Sequence, residues 1–87
     1  MNFLHYEMDL SPDDAVEVTL DSQANVRLMD DPNYAKYQKG EQHNYFGGLA
    51  TASPLTIRAP HSGHWHVVVD LGGYGGTIRA AVRAIKA

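Results

Sequence analysis

The chain contains no cysteine. Disulfide frameworks, thiolate metal sites and cysteine nucleophiles are excluded, and stability has to come from packing and backbone pairing. The same absence fits a reducing compartment, so a cytoplasmic location is expected. Long apolar runs are missing too. The longest strictly aliphatic one is Val67-Val68-Val69, against the roughly 20 residues of a membrane helix. The first ten residues hold His5, Glu7 and Asp9 but no lysine or arginine, and so lack the basic and apolar regions of a signal peptide. No membrane partner is expected. Positive charge is scarce as well, with seven lysines and arginines and no basic cluster. Nucleic-acid affinity comes largely from neutralising phosphates, so no nucleic-acid partner is expected.

What is present is the material of one small domain spanning residues 1–87. A chain of this length buries roughly 60 to 65% of its unfolded surface, enough for one shared core. Net charge is −3 but unevenly spread: the first 26 residues hold six acids and no lysine or arginine, and residues 71–87 hold Arg79, Arg83 and Lys86 with no acid. The two ends are expected to attract each other across the fold.

Apolar Leu4, Tyr6, Met8 and Leu10 alternate with His5, Glu7 and Asp9, the period-two pattern of a half-buried strand. Ser11 to Asp14 then turns the chain. Val16, Val18 and Leu20, and after a turn near Asp21 to Asn25 also Val26 and Leu28, repeat the pattern and predict two more strands. Asp30-Asp31-Pro32 has the form of a helix start, with Tyr34 and Tyr37 three apart and Gly40 as the stop, so one or two helical turns are expected. Gln42 to Phe46 reads as a weak strand broken by Gly47-Gly48, and Pro54 to Pro60 brackets a short strand carrying Leu55 and Ile57. The strongest strand runs from His64 to Leu71, with Trp65, Val67, Val69 and Leu71 on one face and His64, His66, Val68 and Asp70 on the other. Glycines 72, 73, 75 and 76 predict a hairpin into the last segment. That segment, Thr77 to Ala87, fits a helical stripe as well as a strand, and pattern alone leaves both open. Several short strands at turn-punctuated spacing give an all-β expectation, a sandwich or an open barrel.

The segments Val18-Thr19-Leu20-Asp21, Asn25 to Asp30, Asn33-Tyr34, Tyr45 to Gly48 and above all Pro60 to Gly73 resemble a bacterial family, domain of unknown function 1883. The resemblance runs from about Phe3 to Ile85. It implies a compact, jelly-roll-like β-sandwich and so a final strand. It also implies a sensor or adaptor role, because members occur alone or joined to Toll/interleukin-1 receptor-type domains. It implies no reaction, ligand or catalytic residue.

His64 and His66 share one side of a strand, with Asp70 further along that side and His61 just before it, a spacing that can chelate a metal. The pattern is half of a cupin metal motif, without the cupin glutamate or the second, distant histidine motif. The plainer interpretation is polar residues alternating outward on a core strand. Trp65 alternates with Val67 and Val69, which makes it a core anchor ahead of a ligand platform. Tyr34, Tyr37, Tyr45 and Tyr74 fall in or beside loops, where phenols either recognise partners or cover a small core. Asp30, Asp31 and Asn33 lack the spacing of a calcium loop and read as helix capping. Gly72 to Gly76 has neither a GxGxxG pattern nor a following Lys-Ser/Thr, so it is no phosphate cradle. None of the four serines lies in a GxSxG elbow, and Ser62 beside His61 reads as turn chemistry.

Three functions follow as expectations. The first is a non-catalytic recognition module using Tyr34, Tyr37, His61 and Trp65 to bind a protein or small-molecule partner without a cofactor. The second is a metal-binding, cupin-like enzyme or sensor using His61, His64, His66 and Asp70. The third is a structural module that pairs with a second copy through an exposed edge strand.

Overall fold

Alternation in the sequence becomes alternation across two sheets. The structure, a computed structural model, describes residues 3–72 and 76–87. Among these residues there are seven strands and one helix: β1 (Phe3–Leu10), β2 (Ala15–Leu20), β3 (Ala24–Met29), α1 (Asp31–Gln38), β4 (Phe46–Ala50), β5 (Leu55–Arg58), β6 (Gly63–Asp70) and β7 (Ala80–Ile85). They form an antiparallel four-stranded sheet, order β1-β6-β3-β4, and an antiparallel three-stranded sheet, order β5-β2-β7. The sheets pack as an open sandwich, and the final segment is a strand. No helix among the described residues is long and apolar enough to cross a membrane.

The core lies between the sheets. Val16 and Val18 of β2 meet Val26 and Leu28 of β3 and Trp65, Val67 and Val69 of β6, all at 1% exposure or less. Leu4, Tyr6 and Met8 of β1, Leu55 and Ile57 of β5 and Val82 of β7 close its sides. A fully buried Val or Leu side chain contributes about 1.5–3 kcal/mol, so this shared layer is the main source of stability. The uneven charge is used between β2 and β7, where Arg83 Nε lies 2.8 Å from Glu17 Oε1, and just beyond their ends, where Lys86 Nζ lies 3.2 Å from Asp14 Oδ2.

Helix α1 starts where the sequence indicates. Asp30 is the N-cap, its Oδ1 accepting from the Asn33 backbone N–H at 3.1 Å, which satisfies one of the donors that a helix start leaves free. The helix has no fully buried residue. It is held down by Tyr34 and Tyr37, which lie on the outer face of the four-stranded sheet.

Three expectations are corrected. Gln42 to Tyr45 forms no strand, and Gly47-Gly48 does not break one: β4 runs through both glycines, paired with Arg27 and Val26. Backbone pairing to β3 outweighs the low strand propensity of glycine. The glycine-rich link does not make a hairpin, because β7 pairs with β2 and both edges of β6 are already taken by β1 and β3. Gly73, Tyr74 and Gly75 of that link, like Met1 and Asn2, lie outside the described residues. On the second, only partly polar face of β6, His66, Val68 and Asp70 are buried.

Candidate functional site

Register decides which polar side chains meet. Antiparallel pairing of β1 with β6 sets Glu7 opposite His66 and Asp9 opposite His64, and places His5 opposite Val68. All of them face away from the core, and α1 lies across them, bringing in Asp31 and Tyr34. The result is a cluster of three imidazoles and three carboxylates: His5, Glu7, Asp9, Asp31, His64 and His66.

Its distances are those of a connected network. His66 Nε2 lies 2.5 Å from Asp31 Oδ1, and His66 Nδ1 lies 2.8 Å from His5 Nε2. His5 Nδ1 in turn lies 3.1 Å from the Tyr34 hydroxyl. One placement of hydrogens serves all four groups: Tyr34 donates to His5, His5 to His66, and His66 to Asp31. The Tyr34 ring is stacked at 4.2 Å on His5 and at 4.3 Å on His66. His64 sits at the open end, with Nδ1 2.8 Å from Asp9 Oδ1 and Nε2 3.0 Å from Glu7 Oε1.

The electrostatics follow from these contacts. Hydrogen bonds that His64 donates to Glu7 and Asp9 push its pKa up to about 9, favouring the imidazolium. The same bond to His64 holds Glu7 below the usual carboxylate value. Desolvation, with the neighbouring His66, lowers His5, and desolvation raises Tyr34. Two triads have ligand atoms within 4.8 Å of one another, His5/Glu7/His66 and Asp31/His64/His66.

The expected site residues separate in space. His64 and His66 come together, but His61 does not join them. Its ring lies 4.9 Å from Trp65, on the core side of β6, and its Nδ1 donates to the Ser62 carbonyl at 2.9 Å. Asp70 sits at the far end of the strand, accepting from Asn25 Nδ2 at 3.0 Å, Tyr37 Oη at 2.9 Å and the Gly72 N–H at 2.8 Å, and paired with Arg27. Burial raises its pKa, but these hydrogen bonds and the guanidinium bring it below the ordinary carboxylate value. Tyr37 is spent on this network, its phenol raised by burial and by Asp70. Tyr34 is stacked in the histidine network, and Trp65 is a 1%-exposed core residue whose Nε1–H donates to the His61 carbonyl at 3.2 Å.

Sequence reasoning missed His5, Glu7, Asp9 and Asp31 as members of the cluster. The alternation of β1 already puts the first three on one face, but the strand that pairs with it is set by the fold. Asp31 reads as one of two capping acids, and the structure divides the roles: Asp30 caps, and Asp31 reaches His66.

A second feature lies at the opposite edge. There β4 and β5, edge strands of the two sheets, flank a cleft of about 600 Å³ lined by Phe46–Leu49 and Leu55–Arg58. Tyr45, Phe46 and Leu49 are 43%, 48% and 62% exposed.

Among known proteins, the model of one family, described as a domain of unknown function (DUF1883), matches residues 1–87. No curated protein and no solved structure matches the chain.

Proposed function

This chain belongs to the DUF1883 family, and from that premise we propose that it is a non-catalytic recognition module receiving an extended, apolar segment of a partner protein along β4. The observation that carries this reading is the chemistry of the edge. Natural edge strands are blunted with charges, prolines or bulges against unwanted pairing. The segment Tyr45 to Ala50 has no charged residue and no proline, yet presents Phe46 and Leu49 to solvent. An added strand would gain main-chain hydrogen bonds from β4, and alternate side chains would fall into the cleft over Leu55 and Ile57. Tyr34 and Tyr37, packed against the sheet, hold the helix down and leave recognition to this edge. A small-molecule partner would need an enclosed pocket, whereas the cleft is open along its length.

A displayed library of extended peptides, selected against the whole chain, tests this. Selected peptides are expected to slow amide exchange in β4, and Leu49→Lys is expected to abolish binding without changing the melting curve. Selected peptides that protect another surface, or bind the Leu49→Lys protein equally, would overturn it. Pairing with a second copy through the same edge would appear in light scattering as a concentration-dependent mass lost in Leu49→Lys.

A further inference from the structure

We propose that Asp31, His64 and His66 form a binding site for a divalent transition-metal ion of the zinc class, on the outer face of the four-stranded sheet. The site is separate from the β4 edge, and neither depends on the other. A carboxylate oxygen and one nitrogen from each ring lie within 4.8 Å of one another, close enough to converge on one ion by side-chain adjustment. Two imidazoles and a carboxylate are the nitrogen and oxygen donors that borderline divalent ions prefer, and three protein ligands leave a position open. Glu7 Oε1, 3.0 Å from His64 Nε2, is the next donor at hand.

The surroundings of the two rings favour this triad over His5/Glu7/His66. A metal-bound histidine almost always has its second nitrogen tied to a carboxylate or another acceptor, which fixes the ring and its tautomer. Here His64 Nδ1 is held by Asp9 at 2.8 Å, and Nε2, 3.0 Å from Glu7 Oε1, turns to the ion by exchanging that contact for the metal. His66 Nδ1 is held by His5 at 2.8 Å, and His5 by Tyr34 at 3.1 Å. Coordination through His66 Nε2 needs only that both rings carry their hydrogen on Nδ1, with Tyr34 then accepting from His5. The alternative triad would engage His66 through Nδ1 and break its bond to His5. The ligands are also anchored differently: His66 is 6% exposed beneath α1, whereas His64 and Asp31 are open to solvent. The buried ring thus fixes the position, and the two exposed groups can close on an ion arriving from solvent. No lysine or arginine belongs to the cluster, so three carboxylates make it attractive to a cation.

The experiment uses the untagged full chain, stripped with chelator, titrated with zinc by calorimetry and with cobalt(II) by visible absorption. One ion per chain is expected, with a Kd at or below about 10 µM. His64→Gln and Asp31→Asn, both at exposed positions, are expected to weaken binding at least about tenfold, and Asp9→Asn, which acts through His64, by about tenfold or more. His61→Gln, whose ring lies against Trp65 and outside the cluster, is expected to bind as the unchanged protein does. Circular dichroism establishes that each variant is folded, and Leu49→Lys is expected to keep its ion, which separates this site from the edge. Binding weaker than this limit, affinity unmoved in His64→Gln and Asp31→Asn, or loss of the ion in His61→Gln would overturn the proposal.

Discussion

Asp70 shows how a single buried charge is made tolerable. It is 1% exposed, and its carboxylate is met by Arg27, Asn25, Tyr37 and the Gly72 backbone. Removing one member of such a network leaves the others desolvated and uncompensated. Asp70→Ala is expected to cost about 3 kcal/mol in urea denaturation, near the lower end for a buried pair because Arg27 keeps 18% exposure. The pH dependence has a definite sign. The folded carboxyl titrates below its unfolded value of about 3.9, so its contribution is complete above that value and is lost as pH falls through the lower, folded pKa. The stability difference between the unchanged protein and Asp70→Asn is therefore expected to shrink below about pH 4 and to stay constant from about pH 5 to 7. A difference that grows on acidification would contradict the network. The sequence places Asp70 beside two histidines on one strand face. It does not disclose that partners from β3 and α1 would claim it.

At the scale of the element, β4 and β7 illustrate the same limit. Gly47 has φ +115°, and a Cβ there would run into the backbone carbonyl of Val26; Gly48, at φ +148°, has open space around it. Gly47→Ala is expected to destabilise by at least about 2 kcal/mol and to speed amide exchange in β4, whereas Gly48→Ala costs about 1 kcal/mol of backbone strain. Equal effects would show that the close approach to β3 is not what requires Gly47. Local propensity points to a break at these glycines, and only the neighbouring strand reveals why the chain stays extended. In β7 the ambiguity between helix and strand is removed by β2, whose Ala15 to Leu20 pair with Ile85 to Ala80 along their whole length. By contrast α1 is legible in advance, because capping by Asp30 and the stop at Gly40 act within a few residues of chain.

For the whole molecule, the decisive feature is that both sheets bury their apolar faces in one layer. Trp65, the single tryptophan, lies in that layer at 1% exposure. Its fluorescence and the far-ultraviolet circular dichroism of the sheets are therefore expected to report one coincident thermal transition. Separate midpoints would mean that the sheets melt apart. The charge asymmetry read from the sequence is realised at this scale, but modestly: Arg83 is 71% exposed, and exposed pairs of this kind, screened by water and salt, add little to stability.

By itself, the sequence determined everything that depends on near neighbours: the period-two faces of β1, β2, β3 and β6, the start of α1, the exclusion of thiol chemistry, and a family resemblance spanning nearly the chain. Tertiary structure alone decided which strands pair, and pairing decides the site. His64 and His66 are two residues apart in the chain, yet their partners are Asp9 and Glu7 across the register and Asp31 from the helix above. His61, only three residues from His64, lies before β6 begins and turns its ring to Trp65 instead. The physical reason is that a strand alternates its side chains by an invariant rule, while the strand lying beside it is chosen by the burial of the whole core.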